Sequence, residues 1–190
     1  TYSGTAEPGA TVIIYDKGEE IARVPVNGSG DWTYTPTTPL ADGAHSFTNA
    51  VMDPPGNTGP TSAATDFTVD TSQVVISITQ VVDDVAPITG NLSNGGVSND
   101  TTPTLTGTTD APAGSTVTLL VTDANGNQQT LTTTVNPDGT FSVDVTTPLA
   151  DGSYTVTANV TDPAGNTGTA NDDGSVDGTA PSAPLVEIQD

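Results

Sequence analysis

The chain has 190 residues, of which 33% are hydrophobic and 4% aromatic, and its 23 acidic residues against two basic ones give a net charge of −21. This balance argues against nucleic acid and anionic membrane surfaces as partners, because both attract basic patches. There is no cysteine, so no disulfide clamps the fold and no thiolate can hold a metal. No stretch approaches the roughly twenty apolar residues of a membrane span, and direct membrane insertion is not expected.

The chain contains an internal repeat. The seven residues 37–43 return letter for letter at 146–152, with a period of 109 residues. This period suits a tandem array of small, independently folding domains better than a helical solenoid. We predict a repeat that lacks its first strand, a complete repeat and the start of a third, at 1–71, 72–180 and 181–190.

Alternating apolar and polar residues predict the strands in chain order. In the first copy, Val12–Tyr15 runs into an Asp-Lys-Gly turn. The second copy opens on a strand at Val74–Ile78 and continues with one at Val117–Val121, which leads to an Asn-Gly pair typical of a tight hairpin. The clearest alternation, at Tyr154–Val160, puts one face of a strand in a core. A last strand, Leu185–Ile188, is predicted to open the next repeat.

These elements indicate the fold class. Trp32 and Phe141 occupy matching positions in the two copies and follow similar turns, so both are predicted to fill the cores. No stretch makes a convincing amphipathic helix, whereas several short strands with regular turns are typical of immunoglobulin-like sandwiches. The sequence therefore predicts an all-β protein of tandem immunoglobulin-like β-sandwich domains arranged end to end.

Acidic residues recur where each predicted repeat ends. One aspartate follows the alternating strand, a second closes the copy, and a third stands thirteen residues further on. Calcium takes about six to eight oxygen ligands in flexible geometry, so such carboxylates suit it, and a shared cation would relieve their repulsion. The candidate calcium ligands are Asp53, Asp70, Asp83, Asp84, Asp162, Asp177 and Asp190.

A purely structural role for these acids stays open at this stage. Aspartate in Asp-Gly and Asn-Asp sequences forms turns through hydrogen bonds of its own side chain, and surface acids keep an exported protein soluble. For Asp42, Asp138 and Asp151 the turn interpretation is favoured. The sequence contains neither an EF-hand loop nor the glycine-rich nonapeptide of calcium-binding β-rolls.

Several motifs together resemble the bacterial Ig-like repeats of giant adhesins. The resemblance covers nearly the whole chain and is carried by Gly4–Val12, Gly30–Trp32, Pro39–His45, Val69–Thr71 and Asp100–Pro103. It implies an extender module of a type I-secreted adhesin of the RTX or Bap-like kind, at the extracellular bacterial cell surface. It also implies neighbouring repeats as partners and calcium at the junctions, where the ion would stiffen the array for adhesion or biofilm formation. A monomer is expected.

By this resemblance, the candidate ligands fall into two junction sets. The first set is Asp53, Asp70, Asp83 and Asp84, and the second is Asp162, Asp177 and Asp190. Two further acids, Asp172 and Asp173, are expected in a loop at Asn171–Gly174.

Two other function classes compete with a spacer. An enzyme is disfavoured, because the single histidine, His45, has Tyr154 as its counterpart, and no cysteine or nucleophile-elbow motif supplies a nucleophile. A ligand-binding adhesin domain, for carbohydrate or protein, is the alternative. A spacer must recur, whereas a binding tip is usually distinct from its neighbours, so the repeat favours the spacer.

Overall fold

The computed structural model describes residues 1–92 and 95–185, and every helix or strand assigned in these ranges is a β-strand. The chain divides into two compact units, Thr1–Ser72 and Gln73–Asp190, which we call unit 1 and unit 2. The predicted boundary between the first two repeats lies one residue from this division, and the predicted third segment stays a prediction. The described part of the chain has no helix that could cross a membrane.

Unit 1 consists of two antiparallel sheets. Its strands are β1 (Tyr2–Thr5), β2 (Thr11–Asp16), β3 (Glu19–Pro25), β4 (Asp31–Tyr34), β5 (Gly43–Met52) and β6 (Thr65–Val69). One sheet pairs β1 with β4, and the other has the order β3-β2-β5-β6. Side chains of both sheets, such as Trp32 from β4 and Phe47 from β5, meet in one core.

Unit 2 repeats this plan with additional strands. Its strands are β7 (Ile76–Asp83), β8 (Gly90–Leu92), β9 (Val97–Ser98), β10 (Thr104–Thr109), β11 (Thr116–Thr122), β12 (Gln128–Thr134), β13 (Thr140–Asp144), β14 (Gly152–Thr161) and β15 (Thr167–Val176). The sheets have the orders β13-β10-β7-β8 and β12-β11-β14-β15-β9. The strand β7 therefore lies beside β10, which is the counterpart of β1.

The predicted core positions are confirmed. Trp32 and Phe141 are buried, and so are the four inward residues of β14, Tyr154, Val156, Ala158 and Val160. The polar residues between them are exposed or half-buried, as the alternation predicts for a strand with one face in a core. The all-β sandwich prediction is also confirmed.

Two strand predictions need correction. β7 starts at Ile76 and runs to Asp83, because a register shift opposite Thr106 and Gly107 breaks the alternation that was used to find it. The expected loop at Asn171–Gly174 is wrong, since these residues lie inside β15 and pair with β14 in unbroken register. Pairing overrides the poor strand propensity of this polar segment. Of the predicted strand at 185–188, only the first residue lies within the described ranges.

Candidate functional site

The two acids that flank each final hairpin lie at opposite ends of it. In unit 2, β14 and β15 pair over ten positions, so Asp162 follows one end and Asp177 the other. Unit 1 separates Asp53 from Asp70 along β5 in the same way. At about 3.4 Å per residue the separation is roughly 30 Å, whereas a calcium ligand lies about 2.4 Å from its ion. The predicted grouping of these acids around one ion within a unit is therefore wrong.

Asp53 and Asp162 hold the loops that they open. The Asp162 carboxylate accepts hydrogen bonds from the backbone amide and the Nδ2 of Asn166, at 2.8 and 2.9 Å. Asn57 binds Asp53 in the same way, at 2.6 and 2.8 Å. These asparagine side chains lower the pKa of both carboxyl groups. The two acids therefore have a structural role that needs no metal.

A third loop of this design was missed in the sequence. Asp123 accepts the amide and the Nδ2 of Asn127, at 2.8 and 3.0 Å, with the same Asp-x-x-Gly-Asn spacing. The glycine of each loop has a positive φ, between 81° and 102°, which suits a residue without a Cβ. The third copy joins β11 to β12, so this loop is a general turn of the fold and is not restricted to repeat ends.

Three acids of unit 2 meet around one serine. The Ser98 hydroxyl donates to Oδ2 of Asp83 at 2.6 Å and accepts the backbone amide of Asp100 at 2.8 Å. The amide of Asp177 donates to the Ser98 carbonyl, also at 2.8 Å. Asp83 and Asp100 are only 3% and 2% exposed. Asp83 and Asp177 thus share one end of unit 2, and their assignment to separate ligand sets is wrong.

This end of unit 2 is strongly anionic. Burial, together with the charges of Asp172, Asp173 and Asp100, raises the pKa of Tyr154 to about 12. Burial also raises the pKa of Asp172. No lysine, arginine or histidine follows His45 in the sequence, so unit 2 has no cationic side chain to balance these acids. The cluster offers only oxygen ligands and negative charge.

A groove of about 480 Å³ lies beside the cluster. Asp83, Ser98 and Asp177 line it together with apolar residues that include Ile88 and Val97, which are 77% and 63% exposed. Within residues 1–92 and 95–185, no group of three acidic or histidine side chains is arranged to hold a metal ion.

The other candidate ligands do not join this cluster. Asp70 and Asp84 are exposed, and Asp70 accepts the backbone amide of Ser72 at 3.0 Å. Asp190 lies outside the described residues. Their roles as metal ligands stay predictions.

Asp42 and Asp151, interpreted from the sequence as turn residues, instead hold the segment that leaves the last strand of each unit. Asp42 accepts the backbone amide and the hydroxyl of Thr71, at 3.0 and 2.8 Å. Asp151 accepts the backbone amide of Gly178 at 2.9 Å and the hydroxyl of Thr179. We call this pair of contacts the exit clamp. The identical phrase at 37–43 and 146–152 was the available signal, but its partner lies about 28 residues away.

Removing the exit clamp should loosen the exit segment. In Asp151→Ala the amide of Gly178 loses its acceptor, so we expect its hydrogen exchange to accelerate by roughly an order of magnitude. Asp138→Ala is the matched control, because that carboxylate binds only Thr140 of its own turn. Equal exchange of the Gly178 amide in the two variants, measured by NMR, would show that the clamp does not restrain the segment.

His45 is fully engaged in unit 1. Its Nε2 lies 2.8 Å from the carbonyl oxygen of Ala41, and its Nδ1 lies 2.6 Å from Oδ2 of Asp16. Both partners are acceptors, so the ring donates from both nitrogens as an imidazolium. The bond to Ala41, followed by the bond to Asp16, raises the pKa of His45. The histidine packs flat against Phe67 and serves the structure.

This pairing makes the stability of unit 1 depend on pH. Because the folded pKa of His45 is raised, its stabilisation is complete below the unfolded value of about 6.5 and is lost as pH rises through the folded pKa. We expect the melting temperature of unit 1 to fall between about pH 6 and pH 8, as followed by fluorescence of the single tryptophan, Trp32. His45→Tyr, which copies Tyr154, should remove this slope, and an unchanged slope in that variant would contradict the assignment.

Each unit packs two sheets around one core, which defines the chain as a tandem of immunoglobulin-like β-sandwiches. The model of the bacterial Ig-like domain family matches residues 1–71 and again 75–177. The chain therefore belongs to this family, and the resemblance inferred from its motifs is confirmed.

Solved structures of adhesin repeats are similar to the chain. The tetra-tandem repeat in the extending region of a large adhesion protein is 30% identical over 93% of this chain and 45% of that one, with a TM-score of 0.49. A Ca²⁺-stabilized adhesin that helps an Antarctic bacterium bind ice is 28% identical over 92% of this chain and 43% of its own, with a TM-score of 0.43. This chain thus spans less than half of either protein. A search of curated proteins found no match.

Proposed function

We propose that this chain is a non-catalytic spacer module of a large bacterial adhesin, with neighbouring repeats of the same chain as its partners at the extracellular surface. The observation that carries the proposal is the recurrence of one design: both units match the same family and share the Asp-x-x-Gly-Asn loop and the exit clamp. A spacer is built by repeating one unit, whereas a binding tip differs from its neighbours.

The spacer proposal is tested with the purified chain on arrays of glycans and extracellular-matrix proteins. We expect no saturable binding up to about 100 μM, a range that still detects weak contacts. The alternative is a ligand-binding domain that uses the groove beside Asp83, because Ile88 and Val97 are exposed there. Saturable binding that Ile88→Asp abolishes and Asp138→Asn preserves would favour that alternative.

We further propose that calcium stabilises the module through the anionic end of unit 2. Asp83, Asp100 and Asp177 offer hard oxygen donors, which calcium prefers, and unit 2 has no cationic side chain to compete. Their carboxylates alone do not complete a site, so we assign the missing oxygens to Asp84 and Asp190. Stiffening by the ion would serve adhesion or biofilm formation.

Calorimetric titration of the chelator-treated chain tests the calcium proposal directly. We expect saturable binding that is weakened at least about tenfold when Asp83→Asn and Asp177→Asn are combined, because charge-assisted ligands are lost. Asp138→Asn removes the same charge from an exposed turn and should leave the affinity unchanged. Equal weakening by all these substitutions would indicate a diffuse ion atmosphere without a site.

A further inference from the structure

Unit 1 carries an apolar groove at the edge of its smaller sheet. The groove has a volume of about 340 Å³ and is lined by residues that include Tyr2, Leu40, Phe47 and Phe67. The three aromatic rings contact one another edge to face, with Phe47 at 5.5 Å from Tyr2 and at 5.0 Å from Phe67. β1 pairs with β4 on one side, and no described strand pairs with its other edge.

The same place in unit 2 is filled by a strand. Tyr2 and Leu105 correspond, because they pair with Tyr34 and Val143, which are one repeat period apart. β7 lies on the free side of β10 and sets Val81 opposite Leu105. Val81 is 3% exposed and belongs to the core of unit 2. The groove of unit 1 therefore has the shape and polarity that accept a β7-type strand.

The chain contains a second segment with the pattern of β7. Counted from Asp70, the residues Ile78, Val81 and Asp83 stand where Leu185, Ile188 and Asp190 stand when counted from Asp177. Leu185 is 89% exposed. In this alignment Ile188 takes the position of Val81, opposite Tyr2.

We propose that the groove of unit 1 binds residues 184–190 of a second copy as an added strand, antiparallel to β1. The added strand would give the β1 edge the backbone partners that β10 receives from β7, and its apolar side chains would cover the aromatic rings. Because donor and acceptor differ, the contact is head to tail and does not close on itself, so it builds open oligomers. The sequence-based expectation of a monomer is the opposite outcome.

Sedimentation velocity of the full chain tests this proposal. We expect concentration-dependent oligomers that increase as salt is raised to about 0.5 M, because salt screens the repulsion between two chains of charge −21. Leu185→Asp combined with Ile188→Asp should raise the dissociation constant at least about tenfold. Ile88→Asp, at another exposed apolar residue, is the control and should preserve association. A single monomeric species at every concentration would overturn the proposal.

Cysteine pairs test the register in a chain that has none of its own. In the β7 alignment Glu187 takes the place of Gln80, which lies opposite Thr106, the counterpart of Ser3. A mixture of Ser3→Cys chains and Glu187→Cys chains should therefore form disulfide dimers, and Ser3→Cys mixed with Asp138→Cys should not. Equal cross-linking in the two mixtures overturns the proposal. So does a Ser3→Cys, Glu187→Cys double variant that cross-links only within one chain when dilute.

A peptide with the sequence of residues 73–84 is a competitor that does not depend on folding of a variant. It should dissociate the oligomers, and the same peptide with Ile78→Asp and Val81→Asp should not. The experiments are run both with calcium and with chelator. Oligomers that persist with chelator while calorimetry shows no calcium binding would support strand addition and refute the calcium proposal, so the two can fail separately.

Discussion

Calcium is expected to raise the melting temperature of unit 2 by about 10 °C or more at a concentration near 100 times its dissociation constant. Binding to the folded state alone at that ratio adds about 2.7 kcal/mol, and each kcal/mol moves the midpoint of a domain of this size by roughly 4 °C or more. The folded anionic cluster around Ser98 provides the affinity, and the unfolded chain lacks it. Magnesium should do less, because it demands stricter octahedral geometry.

The two units provide an internal comparison for this measurement. Calorimetry follows both transitions, whereas fluorescence of Trp32 follows unit 1 alone, since the chain has one tryptophan. Asp83→Asn with Asp177→Asn should abolish most of the calcium shift in unit 2. An identical calorimetric trace in chelator and in excess calcium would refute stabilisation by the ion.

Unit 2 has a specific reason to depend on a cation. Asp83 and Asp100 are buried next to each other around Ser98, and buried charges are costly unless they are paired or bind a metal. Their hydrogen bonds from neutral donors reduce this cost but leave the net charge unbalanced. Unit 1 differs, because its buried acid–base contact is internal, between Asp16 and His45.

Much of the fold could be predicted because its signals are local. The alternation in β14 and the matching positions of Trp32 and Phe141 follow from periodicity and the repeat, and each was confirmed by burial. The strand β7 was only partly predicted, because its register shift opposite Gly107 moves Val81 and Asp83 out of simple alternation. Local pattern cannot show such a shift, which depends on the pairing partner.

The candidate site was less predictable because it depends on which end of a strand each acid occupies. Equal spacing along the sequence placed Asp162 and Asp177 together, yet a ten-residue hairpin separates them. Asp100 was not considered a candidate ligand, because its burial comes from contacts made by neighbouring strands. The exit clamp was missed for the same reason, since Asp151 and Gly178 meet only after β14 and β15 have paired.

Adding one methyl group at Gly107 is expected to destabilise unit 2 by about 3 kcal/mol, the upper part of the usual range for overpacking. A Cβ there would lie 2.2 Å from both the Phe141 ring and the backbone oxygen of Ser77 in β7. The side chain cannot move away from both, so Gly107→Ala must displace a paired strand.

Gly4→Ala is the matched control, because Gly4 stands opposite Trp32 as Gly107 stands opposite Phe141. Its Cβ would meet only the Trp32 ring, at 2.9 Å, with no described strand behind it. We expect a loss below about 1 kcal/mol, within reach of a small ring shift. Urea denaturation at low concentration measures both, with Trp32 fluorescence for unit 1 and hydrogen exchange in β14 for unit 2. Equal losses would mean that β7 does not confine Gly107, and that the open edge of β1 makes no difference to the packing of its glycine.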